Sequence, residues 1–111
     1  MRRNLDFIRN STKAFSGVLR DSSGAVDLTS ATLTWRLGSN DWRTTHVTLT
    51  ESDGISVTDA TNGKWTVTID PGDTDDLEPG YYQHEGRAVI GSTTYIFTSG
   101  RIRLRREIPT S

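Results

Sequence analysis

Five acidic side chains lie close together in the middle of the chain, and they are the residues whose spacing most resembles a chemical site. They are Asp70, Asp73, Asp75, Asp76 and Glu78, within nine positions. Carboxylates at this density hold calcium, perform acid–base catalysis or build a corner between strands. Because the spacing does not fit the calcium-loop pattern D-x-[DN]-x-[DN]-G with a late glutamate, we favour the corner over a calcium site or catalytic acids.

The neighbouring residues also favour a corner. Asp70 is a good helix N-cap, Pro71 suits the first helical position, and Asp73 can accept hydrogen bonds from the free backbone N–H groups there. The stretch DPGDTDDL is therefore expected to form one turn of helix after a strand, with Leu77 in the core. Tyr82, at the start of the next strand, is expected to donate a hydrogen bond back across the corner.

Other groupings that could perform catalysis are sparse. His46 and His84 both fall inside predicted strands, and neither has a partner at zinc-ligand spacing. The sequence contains no G-x-S-x-G motif, no phosphate-binding glycine loop and no cysteine. We therefore predict no catalytic residues, no metal site and no cofactor, and a protein that is not an enzyme.

Length and composition indicate one ordinary domain. The chain has 111 residues, and we interpret residues 1–111 as a single β-sandwich with 1–10 and 105–111 as candidate extended arms. The lack of cysteine excludes disulfides and is typical of a reducing compartment. No apolar run approaches the ~20 residues of a membrane span, and no signal peptide is visible. We expect neither a membrane partner nor secretion.

The formal net charge of −1 hides basic ends and an acidic middle. Residues 1–20 carry five bases and one acid, residues 51–85 carry nine acids and one base, and residues 86–111 carry five bases and one acid. A nucleic-acid-binding domain is usually basic as a whole, so we expect no nucleic-acid partner. Two interpretations of the asymmetry remain open: the ends lie beside the middle in the fold, or unlike patches dock between neighbouring subunits.

Period-two alternation separated by Gly, Ser, Asp and Asn turns predicts many short strands. An antiparallel sandwich of about 7–9 strands is the expected fold, and a small closed barrel is the alternative. The predicted strands are Leu5–Arg9, Thr12–Leu19, Ala31–Leu37, His46–Thr50, Ile55–Val57, Lys64–Ile69, Tyr81–Ile90, Thr93–Thr98 and Arg101–Leu104. The last two are expected to be separated by a turn at Ser99–Gly100.

The same alternation predicts the core. The expected inward residues are Phe15, Val18, Leu28, Leu33, Trp35, Leu37, Val47, Leu49, Ile55, Val57, Trp65, Val67, Ile69, Leu77, Tyr82, Ala88, Ile90, Tyr95, Phe97, Ile102 and Leu104.

Two long stretches, GAVDLTSATLTWRL at 24–37 and GISVTDATNGKWTVTIDPGDTDDLEPGYY at 54–82, resemble the N-terminal domain of phage baseplate upper proteins. A closing G-x-I-x-L strand at 100–104 extends the similarity, which covers roughly residues 12–104. The matching positions are Gly24, Val26, Asp27, Leu28, Thr29, Ala31, Gly54, Ile55, Thr58, Asp59, Ala60, Gly63, Asp73, Thr74, Leu77, Gly80, Tyr82, Gly100, Ile102 and Leu104. Ser30 departs from the family, which tends to have glycine there.

The resemblance implies an immunoglobulin-like sandwich in a small phage virion protein. Its expected function is structural, as a tail or baseplate adaptor subunit that contacts other virion proteins and copies of itself as a homo-oligomer. The expected location is the virion, assembled in the host cytoplasm. A capsid or neck decoration protein is an alternative. A carbohydrate-binding sandwich module that uses exposed aromatics such as Trp42, Tyr81 or Tyr95 is another.

The predicted interface residues are basic or aromatic. In the strand GRIRLRR, Ile102 and Leu104 are expected to face the core, so the alternating arginines form an outward row that needs a negative partner. Trp42 lies in a polar loop and is interpreted either as an interface residue or as a lid over a sheet edge. The complete candidate set is Arg2, Arg3, Trp42, Arg43, Arg101, Arg103, Arg105 and Arg106.

Overall fold

The computed structural model of the protein describes residues 3–106. It is 63% strand and 7% helix, which confirms the all-β prediction. The strands are β1 (Leu5–Ile8), β2 (Lys13–Val18), β3 (Arg20–Asp21), β4 (Gly24–Ala25), β5 (Thr32–Ser39), β6 (Thr45–Glu51), β7 (Gly54–Asp59), β8 (Lys64–Ile69), β9 (Gly80–Ile90) and β10 (Thr93–Arg105). A 3₁₀ turn spans Ala60–Asn62, and helix α1 spans Pro71–Thr74.

Eight of these strands form one curled, mostly antiparallel sheet that is nearly barrel-shaped. Their order is β1-β10-β9-β5-β6-β7-β8-β2, and β3 and β4 form a separate small hairpin. Strand β1 runs parallel to β10. The β6–β7 junction consists of only two residue pairs, Thr50 with Gly54 and Glu51 with Ile55. The sheet is therefore weakly joined there and bends, which brings β2 and β8 over β5, β9 and β10.

Aromatic rings from both sides of this bend meet in the core. Phe15 of β2 lies edge-on to Trp35 of β5 with ring centroids 6.1 Å apart, and Trp65 of β8 lies 4.7 Å from Phe97 of β10. Trp35 and Trp65 are completely buried. Edge-on contacts of this kind add to the stabilisation that burial of the rings provides.

Most of the predicted inward residues are buried, and five pack against the margin of the core: Val57, Leu77, Tyr82, Ile90 and Tyr95. The prediction for Val18 is wrong. Alternation from the buried Phe15 points Gly17 and Leu19 inward and leaves Val18 half-buried. Buried residues that the sequence reasoning missed are Leu5, Phe7, Leu19, Val26 and Ala31.

The predicted turn at Ser99–Gly100 is also wrong, because β10 continues through it to Arg105. The irregularity in this strand is instead a shift in register between Ile96 and Thr98. Gly100 is required by close packing, since a Cβ there would lie 2.1 Å from the carbonyl oxygen of Arg3. The Arg3 N–H donates to the carbonyl oxygen of Ser99 at 2.6 Å and holds the chain in this position.

The acidic stretch forms the predicted corner. Asp70 caps α1, Asp73 returns a hydrogen bond to the Asp70 N–H at 2.8 Å, and Pro71 begins the helix. The Tyr82 hydroxyl donates to the Glu78 carbonyl oxygen at 2.6 Å. The backbone N–H of Asn10 donates to the buried Thr74 hydroxyl at 2.9 Å and joins the corner to the β1–β2 turn.

Trp35→Ala is expected to lower the free energy of unfolding by about 3–5 kcal/mol, because it leaves a large cavity in a fully buried site. The matched control is Tyr81→Ala, at a side chain that is 56% exposed. This substitution is expected to change the free energy of unfolding by less than about 1 kcal/mol. Urea denaturation followed by circular dichroism measures both values. Equal losses in the two variants would contradict the placement of Trp35.

Candidate interaction surface

One continuous surface, which we call the outer face, is formed by the side chains that alternate away from the core on β1, β10, β9 and β5. Trp42 extends this surface from the loop at residues 40–44, which we call the Trp42 loop. Strand register makes it continuous, since Gln83 of β9 lies opposite Gly38 of β5 and Arg101 of β10. Its members are Asp6, Arg36, Trp42, Tyr81, Gln83, Glu85, Arg87, Arg101, Arg103 and Arg105.

Strand β10 contributes the arginine row, which is Arg101, Arg103 and Arg105. These side chains are exposed, while the intervening Ile102 and Leu104 are buried in the domain's own core. The alternation in the sequence therefore predicts the direction of the row correctly. Arg106 follows β10 and is exposed as well, whereas Arg2 lies outside the described residues.

The acid that faces the arginine row comes from β1 of the same domain. Asp6 lies opposite Arg103 in the parallel register, and its carboxylate contacts Arg105 Nε at 2.7 Å and Arg103 Nη1 at 3.9 Å. Arg101 instead places its guanidinium 5.6 Å from the centre of the Tyr81 ring. These side chains are about half exposed, so the ion pairs add little stability. One carboxylate facing three guanidiniums leaves the row positive.

A shallow groove of about 230 Å³ runs beside the row. Tyr81 forms one wall, and the Arg101 guanidinium lies over its ring. The Arg101 backbone N–H donates to the Asn4 side-chain oxygen at 3.1 Å, which ties the groove to β1. The remaining lining residues are Leu5, Asp6 and Arg103.

Trp42 is held firmly on the outer face. It has a positive φ of 60°, and its indole N–H donates to the Gln83 side-chain oxygen at 2.9 Å. Gln83 in turn donates to the Asn40 carbonyl oxygen at 2.5 Å. The indole lies so close to Gly38 that a Cβ there would be 2.5 Å from the ring. Trp42 thus covers part of β5, which is an interior strand and not the sheet edge that the lid interpretation expects, while 38% of Trp42 stays exposed.

A second groove, which we call the Trp42 groove, opens on the other side of Gln83 and encloses about 270 Å³. Glu85 and Arg87 of β9 line it and form an ion pair with Nε and Oε1 2.5 Å apart. Arg36 of β5 lies directly opposite Glu85 in the register. The remaining lining residues are Trp42 and Thr45. Sequence reasoning missed Arg36, Glu85 and Arg87, because only the pairing of β5 with β9 brings them together.

Three of the residues singled out in the sequence are not members of the outer face. The Arg3 guanidinium donates to the Ser16 carbonyl oxygen at 2.7 Å and lies 5.8 Å from the Phe15 ring centre, so it bridges β1 to β2. Arg43 is highly exposed and pairs with its neighbour Asp41 at 3.2 Å. Tyr95 is half-buried against the core, which leaves Trp42 and Tyr81 as the predicted aromatics on the outer face.

The histidines belong to packing contacts. His84 is buried and accepts the Trp35 indole N–H at 3.0 Å, and His46 lies edge-on to Tyr82 at 5.6 Å. Within residues 3–106, no group of three or more histidine or acidic side chains is arranged to hold a metal ion. No helix in this part of the chain has the length and apolar character to cross a bilayer.

The pKa of Asp41, in the Trp42 loop, depends on the hydrogen bonds that the loop makes to the Asp41 carboxylate. The Ser39 hydroxyl and then the Arg43 backbone N–H donate to Asp41, and these hydrogen bonds lower the pKa of its carboxyl group. Because folding lowers the pKa of Asp41, the ionised carboxylate stabilises the loop at pH values above the unfolded-state pKa of Asp41. That contribution is lost as the pH falls through the folded-state value.

Ser39→Ala is expected to raise the pKa of Asp41 toward its usual value, because the largest cause of the shift is removed. Carbon-13 NMR of the carboxyl group across an acid titration measures this change. Thr48→Ala, on the exposed side of β6, is the control and is expected to leave the Asp41 curve unchanged. A Ser39→Ala curve that overlays the wild-type curve would refute this loop geometry.

Neither protein-family models nor curated proteins provide a match to this sequence.

Proposed function

We propose that this chain is a structural subunit of a phage particle, a tail or baseplate adaptor, that assembles through its outer face. The observation that carries the proposal is the preorganised set of arginine and aromatic side chains on that face. Arg101 is seated over Tyr81, and Trp42 is fixed by Gln83, before any partner arrives. Arginine, tyrosine and tryptophan dominate binding energy at protein interfaces, and side chains already held in place lose less entropy on binding.

The topology supports an immunoglobulin-like sandwich as the scaffold. Strands β10, β9, β5 and β6 follow the order of the G, F, C and C′ strands of that fold, and β2, β8 and β7 follow the order of B, E and D. Trp35 is buried on the strand that corresponds to C. The Tyr82 hydrogen bond to Glu78 has the form of the tyrosine corner at the start of strand F.

The motifs that resemble phage baseplate upper proteins build turns in this structure. Gly63 adopts a left-handed conformation with φ 69° after the 3₁₀ turn, and Gly54 has φ 103°. Asp27 accepts the Thr29 backbone N–H at 2.9 Å in a side-chain-stabilised turn. The motif residues thus have physical roles in the turns of this fold, as expected of a shared scaffold.

The partner that fits the arginine row is the acidic corner of a second copy. Asp75, Asp76 and Glu78 are exposed beside α1 and carry the charge opposite to that of the row. Unlike patches on one subunit give a head-to-tail contact, which closes into a ring when the rotation between copies allows. Paired arginine–carboxylate hydrogen bonds would hold that contact.

The first test is the composition of the particle. Phage particles are purified on a density gradient, washed at high salt and digested, and the chain is quantified against the major capsid protein by mass spectrometry. We expect several copies per particle that remain after the wash. Recovery of the chain only as free protein in the lysate would contradict the structural role.

The second test is charge reversal. Arg101→Glu with Arg103→Glu is expected to reduce incorporation at least about tenfold, because like charges would face each other at the contact. Arg20→Glu with Lys64→Glu is the control, since it changes the net charge equally at exposed residues of β3 and β8. Circular dichroism verifies folding in each case.

Adding Asp75→Lys with Asp76→Lys to the Arg101→Glu, Arg103→Glu chain restores opposite charges between copies, so we expect incorporation to recover. Wild-type incorporation of the folded Arg101→Glu, Arg103→Glu variant would show that the row is a solvated strand face. A loss that the added lysines do not rescue would overturn the second copy as the partner of the row.

A further inference from the structure

The Trp42 groove has a different composition from the arginine row. Arg36 and Arg87 flank Glu85 on two neighbouring strands, with Arg36 opposite Glu85 and Arg87 opposite Thr34. Glu85 pairs with Arg87 at 2.5 Å, while the Arg36 side chain has no hydrogen bond or ion pair with any residue of the described chain, 3–106. Two guanidiniums and one carboxylate leave the groove with one net positive charge.

This positive charge favours an anion, and the guanidinium geometry favours an anion with at least two oxygens. A guanidinium presents its N–H donors as a fixed fork that matches the oxygens of a carboxylate or phosphate. The ion pair with Glu85 fixes Arg87 through its Nε. That arrangement leaves the terminal nitrogens of Arg87, and all the donors of Arg36, available to a bound group.

The groove also has an aromatic wall. The Trp42 indole is oriented by its hydrogen bond to Gln83 and packs close to Gly38. A sugar ring presents C–H groups that pack against the electron-rich face of an indole. Its hydroxyl groups would find an acceptor in Glu85 and a hydroxyl partner in Thr45, both of which line the groove.

The size of the groove limits the ligand. Its volume of about 270 Å³ lies just below the roughly 300–1,000 Å³ of clefts that enclose drug-sized molecules. One pyranose ring fits this space, whereas several linked rings would extend beyond it.

We propose that the Trp42 groove binds a single anionic pyranose, a sugar ring bearing a carboxylate or a phosphate. Arg36 and Arg87 bind the anionic group, Trp42 packs against the ring, and Glu85 with Thr45 binds hydroxyl groups. This site is separate from the arginine row, so the proposal does not depend on whether the row docks onto a second copy.

Titration of the full chain, followed by nitrogen-15 NMR of the Trp42 indole N–H, tests the proposal. The probes are glucuronate and glucose 6-phosphate as anionic sugars, glucose as the neutral sugar, and acetate and inorganic phosphate as anions without a ring. We expect saturable shifts with at least one anionic sugar and binding at least about tenfold weaker for glucose and the simple anions. Comparison of the two anionic sugars identifies the preferred charged group.

Arg36→Gln is expected to weaken binding of the preferred sugar at least about tenfold, because a charge-assisted hydrogen bond is lost. Arg20→Gln, at an exposed arginine of β3 outside both the groove and the arginine row, is the control and is expected to bind as wild type. Thr45→Ala tests the ring contacts separately and should weaken the sugar without affecting inorganic phosphate.

Three results would overturn the proposal. The first is no saturable shift with either anionic sugar. The second is equal affinity for the sugars and for the simple anions, which would make the groove an unspecific anion site. The third is unchanged affinity in a folded Arg36→Gln variant.

Discussion

A series of hydrogen bonds joins the core to Arg3, just before the edge strand β1, and β1 brings Asp6 to the arginine row. The Trp35 indole N–H donates to His84 Nδ1 at 3.0 Å, and His84 Nε2 lies 2.7 Å from the Arg3 carbonyl oxygen. Because the indole nitrogen only donates and the carbonyl only accepts, His84 must be neutral with its proton on Nε2. Phe15 lies edge-on to both rings at 6.1 and 5.7 Å, so water does not compete for the Trp35–His84 bond.

The position of β1 follows from this link. The Arg3 backbone is held against Gly100, and its guanidinium reaches the Ser16 carbonyl oxygen of β2, so one residue joins both edges of the curled sheet. With β1 in this register, Asp6 faces the arginine row. Asp6 pairs with Arg105 and more distantly with Arg103, whereas Arg101 lies over Tyr81, so the row keeps a net positive charge.

Local patterns in the sequence were sufficient for the corner and for most of the strands, because each of these is decided by neighbouring residues; the continuity of β10 through Ser99 and Gly100 was missed. Alternation at Trp65, Val67 and Ile69 favours a half-buried strand, and Asp70 with Pro71 favours the start of a helix directly after it. The outer face could not be predicted in this way. Gln83 reaches Trp42 from 41 residues away, and Asp6 meets the arginine row through a parallel pairing of the two ends of the chain. Such contacts depend on sheet order and register, for which the sequence has no local signal.

Nitrogen-15 NMR of the His84 ring, together with hydrogen exchange of the Trp35 indole N–H, tests the central link most directly. We predict a neutral ring with an unprotonated Nδ1 and a protonated Nε2. The Trp35 indole N–H should exchange more slowly than that of Trp42, which is 38% exposed. A His84 proton on Nδ1, a doubly protonated ring, or equal exchange at the two indoles would contradict the account.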